Sequence, residues 1–250
     1  MDFVICHLKD MSLIFDIETI GEDWEDINSQ TQDSLTRWIK REAGEEEGKY
    51  NVMLTDLKEG LGFSPLTGEI VAIGIYDDEK DKGVVYFSAS SVDKQPDEEM
   101  KEWVDGKFTF KPKTEKEMLA DFWQGAKNYG ELVSFNGRSF DVPFLLIRSA
   151  VHKIKPTINL MSNRYLGSQY GVRHIDLLDQ LSFYGAVRRK GNLHLYCRAF
   201  SIKSPKAGGI TGDDVGRLFK NGGYKKIAEY NSWDLIATAE LYKIWKEYIQ

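Results

Sequence analysis

The sequence predicts an α/β protein in which a central mixed β-sheet is flanked by helices. Three observations carry that prediction. Short runs rich in apolar and β-branched residues recur at Leu13–Ile17, Ile70–Tyr76, Val84–Phe87 and Leu132–Phe135, as buried strands require. Between and after them, apolar residues fall at helical spacing. Two of the runs are joined by a short charged turn, so the sheet contains a hairpin and is not purely parallel.

Each element follows from local signals. Leu13-Ile-Phe-Asp-Ile is a short buried strand. Residues 19–66 read as an acidic insertion with a helix around Ser34–Lys40 and a flexible loop at Glu45-Glu-Glu-Gly. Ile70–Tyr76 and Val84–Phe87 pair across the turn Asp77–Gly83. Thr114 heads a helix with Glu117 at the capping-box position; Met118, Leu119, Phe122 and Trp123 form its apolar stripe and Gly130 ends it. Leu132–Phe135 is a further strand. Asn136-Gly then turns the chain into a helix that begins near Asp141, with Pro143 in its first turn. Beyond Arg148 the pattern is helical and loopy, with a glycine-rich loop at Ala207–Gly212 and a last helix from about Tyr224 to Gln250. There are no internal repeats or low-complexity tracts. At 250 residues the chain is read as one domain spanning 1–250, with residues 1–11 as an N-terminal extension.

Composition narrows the setting. The N-terminus lacks the layout of a signal peptide, and no run of about 18 apolar residues is present, so no ordinary membrane span is predicted. Cys6 and Cys197 lie far apart without metal-type spacing, which suits a reducing, cytoplasmic compartment. His7, His152, His174 and His194 likewise lack ligand spacing, and Asp176 reads as the cap of a helix over 177–184. The net charge of −6 hides an asymmetry. Residues 148–226 carry 15 Lys/Arg against 4 Asp/Glu, whereas residues 1–147 carry 16 against 31. The clusters Arg188-Arg189-Lys190, Lys203 with Lys206, and Lys225-Lys226 can track a phosphate backbone; each lysine alone also reads as a solvated surface charge.

Three motifs carry candidate chemistry. Asp16 and Glu18 lie two apart on a strand and so share a face near its end. Asp141 opens a helix just after Asn136-Gly-Arg-Ser-Phe140, whose amide and aromatic ring suit a sugar or base. Tyr230 and Asp234 are one helical turn apart. Each has a plainer reading: an acidic loop for the first pair, a helix cap for Asp141, a half-core tyrosine and a solvent carboxylate for the last. Were the three segments to converge, four carboxylates would crowd together, and like charges at that distance need cations to stay ionised. Two Mg²⁺ or Mn²⁺ ions would satisfy such a donor set.

In these motifs the chain resembles the DEDD superfamily of 3′-5′ exonucleases, the DnaQ-like group of the ribonuclease H-like fold, and within it the tyrosine-bearing DEDDy branch. Asp16 with Glu18, Asn136 to Asp141, and Tyr230 to Asp234 match its three motifs in order. Pro65-Leu-Thr-Gly-Glu-Ile-Val-Ala-Ile-Gly-Ile is similar to the segment before the second strand in proofreading domains of family B DNA polymerases. The resemblance covers about residues 12–250. It implies that Asp16 bridges two metal ions, that Glu18 and Asp234 complete the site of the ion holding the attacking water, and that Asp141 holds the second ion. Tyr230 would orient or help deprotonate that water. Asn136 and Phe140 would contact the terminal nucleotide and Lys203 the strand. The implied reaction releases nucleoside 5′-monophosphates from single-stranded or frayed 3′ ends, with DNA preferred to RNA. A ribonuclease D-like exoribonuclease and a non-catalytic nucleic-acid-binding scaffold of the same fold are the alternatives. The acidic insertion departs from the pattern; it either folds away from a phosphate-binding groove or guards it.

Overall fold

A computed structural model describes residues 11–89, 101–204 and 209–250. The extension 1–10, Lys206 and the start of the glycine-rich loop lie outside the described residues. Seven strands form one mixed sheet: β1 (Ser12–Gly21), β2 (Gly68–Asp77), β3 (Lys82–Phe87), β4 (Trp103–Asp105), β5 (Phe108–Pro112), β6 (Glu131–Ser134) and β7 (Arg173–Asp176), in the spatial order β4-β5-β3-β2-β1-β6-β7. β1, β2 and β3 run antiparallel in turn, so the expected hairpin is present. β6 and β7 join β1 in parallel.

The helices are α1 (Ser29–Ala43), α2 (Glu47–Glu59), α3 (Glu115–Ala126), α4 (Asp141–Val151), α5 (Leu177–Leu181), α6 (Leu193–Ala199), α7 (Val215–Lys220) and α8 (Tyr224–Tyr248). Strand alternation sorts β1 between two cores. Leu13, Phe15 and Ile17 face Met118, Leu119, Phe122 and Trp123 of α3 and Val142, Phe144 and Leu145 of α4. Ile14 faces the other way, towards Leu235, Ala239, Leu241 and Tyr242 of α8 and Val215 and Phe219 of α7. At 25 residues α8 is about 37 Å long, enough to cross this whole face. None of the described helices is long and apolar enough to cross a membrane.

Four details differ from the sequence reading. Glu47 and Gly48 open α2 instead of remaining in a loop. α3 ends at Ala126 with Lys127 at its C-cap; Gly130 instead donates to the Met11 carbonyl and leads into β6. The helix after Asp176 stops at Leu181, where Phe183 and Tyr184 adopt left-handed backbone. Strands β4, β5 and β7 add an edge pair and a seventh strand. β7 is Arg-His-Ile-Asp, too short and too polar to signal itself; its parallel pairing to β6 makes it a strand.

The insertion is a helical hairpin, α1 and α2, that returns through the short 3₁₀ turn Gly60–Phe63 across the end of β1. Two glycines permit the crossing. A Cβ on Gly21 would lie 2.8 Å from the Gly62 nitrogen, and one on Gly62 would lie 2.9 Å from that of Gly21. The Thr19 hydroxyl fastens the crossing by donating to the Gly62 carbonyl at 2.7 Å.

Candidate active site

The site forms where β1 outruns its parallel neighbour. β6 ends at Ser134, whereas β1 continues beside β2 as far as Gly21. Asp16 and Glu18 therefore project beyond the carboxyl end of β6, where open α/β sheets gather ligands. They are mid-strand residues of β1, not its terminal ones, and the two-residue period puts both on the face covered by α8. That helix supplies Tyr230 and, one turn later, Asp234. One ligand oxygen from each of Asp16, Glu18 and Asp234 lies within 4.8 Å of the others. Glu18 is 6% exposed and Asp234 8%, while Asp16 lines a cleft of about 510 Å³.

Asp141 reaches the same place from the first turn of α4. Phe140, not Asp141, occupies the N-cap position. The Asp141 carboxylate instead accepts the Ile17 amide at 3.2 Å, between Asp16 and Glu18 on β1. It stands outside the tight triad yet within its electrostatic field. Burial, followed by the charges of Asp141, Asp234 and Glu18, raises Asp16 well above the ordinary carboxylate range. Burial with Asp234 and Asp141 does the same to Glu18. Asp141 is pushed up to about 7, chiefly by burial and then by Asp176 and Asp234, against backbone hydrogen bonds that pull it down. The Tyr230 phenol is held far above its usual value by burial, by Asp234, Glu18 and Asp16, and by a hydrogen bond to Asp234.

Such a set of buried carboxylates fits a divalent-cation site. Its oxygens are the donors that Mg²⁺ and Mn²⁺ take, and cations remove the mutual repulsion that otherwise protonates them. Asp16, Glu18 and Asp234 could hold one ion directly, and Asp141 is placed to share in holding a second.

The second motif is shaped by a residue far along the chain. Asn136 adopts left-handed backbone, φ 64°. The Asp176 carboxylate accepts the amides of Asn136 and Arg138, each at 2.9 Å, while also accepting the Leu178 amide at 2.9 Å as the cap of α5. One buried carboxylate thus fixes both the loop and the helix. Asn136 lines the 510 Å³ cleft with Asp16, Tyr230 and Asp234. Phe140 is half-buried against Phe144, with ring centroids 5.0 Å apart. Lys203 is exposed and lines neither this cleft nor the larger one described below.

Residues 82–248 match the family described as "Predicted 3′-5′ exonuclease related to the exonuclease domain of PolB". The chain belongs to this family. The matched segment holds the second and third motifs, and the fold brings Asp16 and Glu18 to them from outside it. A family B DNA polymerase from the hyperthermophilic archaeon Pyrobaculum calidifontis is similar in fold, with a TM-score of 0.55 over 94% of this chain at 14% identity. The chain spans 24% of that polymerase chain. No curated protein matches it in sequence.

The structure adds residues to this exonuclease-family site that the sequence reading missed. Lys190, Asn192 and His194 line the smaller cleft together with Asp16 and Asp234; the run Arg188-Arg189-Lys190 was their only signal. Phe63, 58% exposed, comes from the insertion and meets Phe140 edge-on at 6.4 Å. It also lines a second cleft of about 910 Å³ between Thr19 and Gly21 of β1, the end of α2, and α7. Lys220 of α7 pairs with Asp23 of the insertion. The acidic insertion therefore lines this second cleft, with Lys58, Arg217 and Lys220 set among the carboxylates there. Asn231, beside Tyr230, donates to Asp16 at 2.8 Å.

Proposed function

We propose that this protein is a divalent-metal-dependent 3′-5′ exonuclease that removes nucleoside 5′-monophosphates from single-stranded or frayed ends, DNA preferred. The observation that carries the proposal is the meeting of Asp16, Glu18 and Asp234 within 4.8 Å, with Tyr230 beside them. Two Mg²⁺ or Mn²⁺ ions would supply charge neutralisation, activation of the attacking water and stabilisation of the leaving oxygen. Asp16 would bridge the two, Glu18 and Asp234 would complete one site, and Asp141 would serve the other.

The remaining residues position substrate. Tyr230, hydrogen-bonded to Asp234, would orient the attacking water or help to deprotonate it. Asn136, which lines the cleft, and Phe140, next to Asp141, would contact the terminal sugar and base, with Phe63 extending the aromatic surface of Phe140. Lys190 and Lys203 are proposed as phosphate contacts. The DNA preference rests on the family's relation to the PolB exonuclease domain. We read the chain as a single exonuclease domain, because one sheet draws strands from residue 12 to residue 176 and the last helix packs upon it. The spacing of Cys6 and Cys197 supports a cytoplasmic setting.

The test is incubation with 5′-end-labelled single-stranded DNA and RNA of one sequence, with Mn²⁺, Mg²⁺ or chelator. A ladder shortening from the 3′ end, dependent on metal and absent in Asp234→Ala, is the expected result. The faster substrate fixes the sugar, and full-rate cleavage by Asp234→Ala would sink the mechanism.

A further inference from the structure

The third motif contains a side chain that faces inward yet carries no charge. Asn231 follows Tyr230 on α8 and is 0% exposed. Its Nδ2 donates to Asp16 at 2.8 Å, and the same amide favours the ionised form of the neighbouring Glu18. One NH₂ group thus anchors Asp16 and favours the charge on both carboxylates of β1. Its Oδ1 is buried without a hydrogen-bond partner. A buried amide left half-satisfied costs stability, so a gain elsewhere must offset it.

The sheet makes room for this amide. Gly74 of β2 stands directly across from Asp16 in the ladder. A Cβ built on Gly74 would lie 1.9 Å from the Asn231 oxygen. The strand therefore gives up a side chain at the one position where the amide must lie flat against the backbone. Turning the amide over would set its oxygen against Asp16, so the acid also dictates which end of the amide is orphaned.

From this geometry we infer that Asn231 is a positioning residue, which holds Asp16 in the orientation a divalent cation shared with Glu18 needs, with Gly74 as the slot that admits it. The inference rests on the metal-site reading above. Asp16 keeps one oxygen engaged by the amide, and one oxygen from each of Asp16, Glu18 and Asp234 lies within 4.8 Å of the others. Without the amide, two like charges on one strand face would swing apart until an ion arrived, and binding would have to draw them back together. Outer residues that orient metal ligands typically contribute about 10–100-fold to metal affinity.

The test measures Mn²⁺ binding by calorimetry, without substrate, on wild type, Asp16→Ala, Asn231→Leu and Asn231→Ala. Leucine keeps the bulk of asparagine and removes its donors, whereas alanine removes both. Urea unfolding in chelator checks that each variant folds. A positioning role predicts that both Asn231 variants lose about 10–100-fold in Mn²⁺ affinity. Should the leucine variant fail to fold, the alanine variant carries the same affinity test. Wild-type affinity in either folded variant would overturn the inference and leave the metal site standing. Absence of Asp16-dependent Mn²⁺ binding in wild type would overturn both.

Discussion

Two buried carboxylate sites lie on opposite faces of the same sheet, and the chain treats them in opposite ways. Glu115, at the start of α3, accepts the Ile70 amide at 2.8 Å, both arms of the Arg148 guanidinium at 2.8 and 2.7 Å, and His152 at 2.6 Å. Burial alone would raise its pKa, but Arg148, the Ile70 amide and His152 outweigh it and the carboxyl is lowered. At the other site the strongest charges on Asp16 are Asp141, Asp234 and Glu18, and its pKa rises. A carboxylate buried for structure is given a cation from the chain. Carboxylates buried beside one another with no such cation among their dominant neighbours are arranged for a charge that arrives from solution.

The contrast breaks most sharply under mutation. Asp16→Ala or Asp234→Ala should lower cleavage about 10³-fold or more, while raising the urea midpoint of the metal-free protein because a repelling acid is gone. Glu115→Ala should do the reverse. Removing one partner of a buried ion pair costs about 3–5 kcal/mol, read as a lower urea midpoint, with cleavage per folded molecule unchanged. A metal-free midpoint that falls in Asp16→Ala as far as in Glu115→Ala would erase the distinction between the sites.

The two sites should also answer pH with opposite signs. Glu115 has a folded pKa below its unfolded value near 4.3, so its contribution is present above that value and fades as pH falls through the folded one. Asp16, Glu18 and Asp141 have folded values above their unfolded ones, Asp141 at about 7. Their contribution is fully present below about pH 4 and is lost as pH rises through the folded values. In chelator, the stability of Asp16→Ala relative to wild type should therefore grow between about pH 4 and 7. Saturating Mn²⁺ should reverse that difference, since only wild type gains from the ion. A pH-independent difference would mean that the Asp16 carboxyl is not raised in the folded protein.

Much of this contrast was legible in the residues, and the unread part has physical causes. The capping box at Thr114 and Glu117 is local chemistry and appears as read, with the Thr114 amide donating to Glu117 at 2.9 Å. The period of two along β1 also placed Asp16 and Glu18 on one face. Nothing local told how far β6 would run beside β1, and that short overlap of Ser12–Ile14 is what leaves both acids beyond its end. Asn231 looks like any polar residue on a helix until Gly74 is seen across from Asp16. Asp176 was legible as a helix cap, whereas its grip on Asn136 and Arg138 spans about forty residues and depends on β7, which sequence pattern did not show. Convergence of distant segments is a tertiary property, and only the joint presence of the three motifs hinted at it.

The smallest effect sharpens the comparison within the acidic site itself. Tyr230 is buried and surrounded by Asp234, Glu18 and Asp16, and burial followed by these charges opposes loss of its proton. In the metal-free protein that field keeps the phenol protonated, and bound cations would weaken it. Tyr230→Phe keeps the buried ring on α8 and removes only the hydroxyl, so Mn²⁺ affinity should stay within about twofold while cleavage slows about tenfold, one hydrogen bond's worth. The slowing should be constant between pH 6 and 9. A variant whose rate deficit widened steadily with pH would show the tyrosine losing its proton in the reaction, and would place it with the acids as a titrating member of the site and not as their fixed donor.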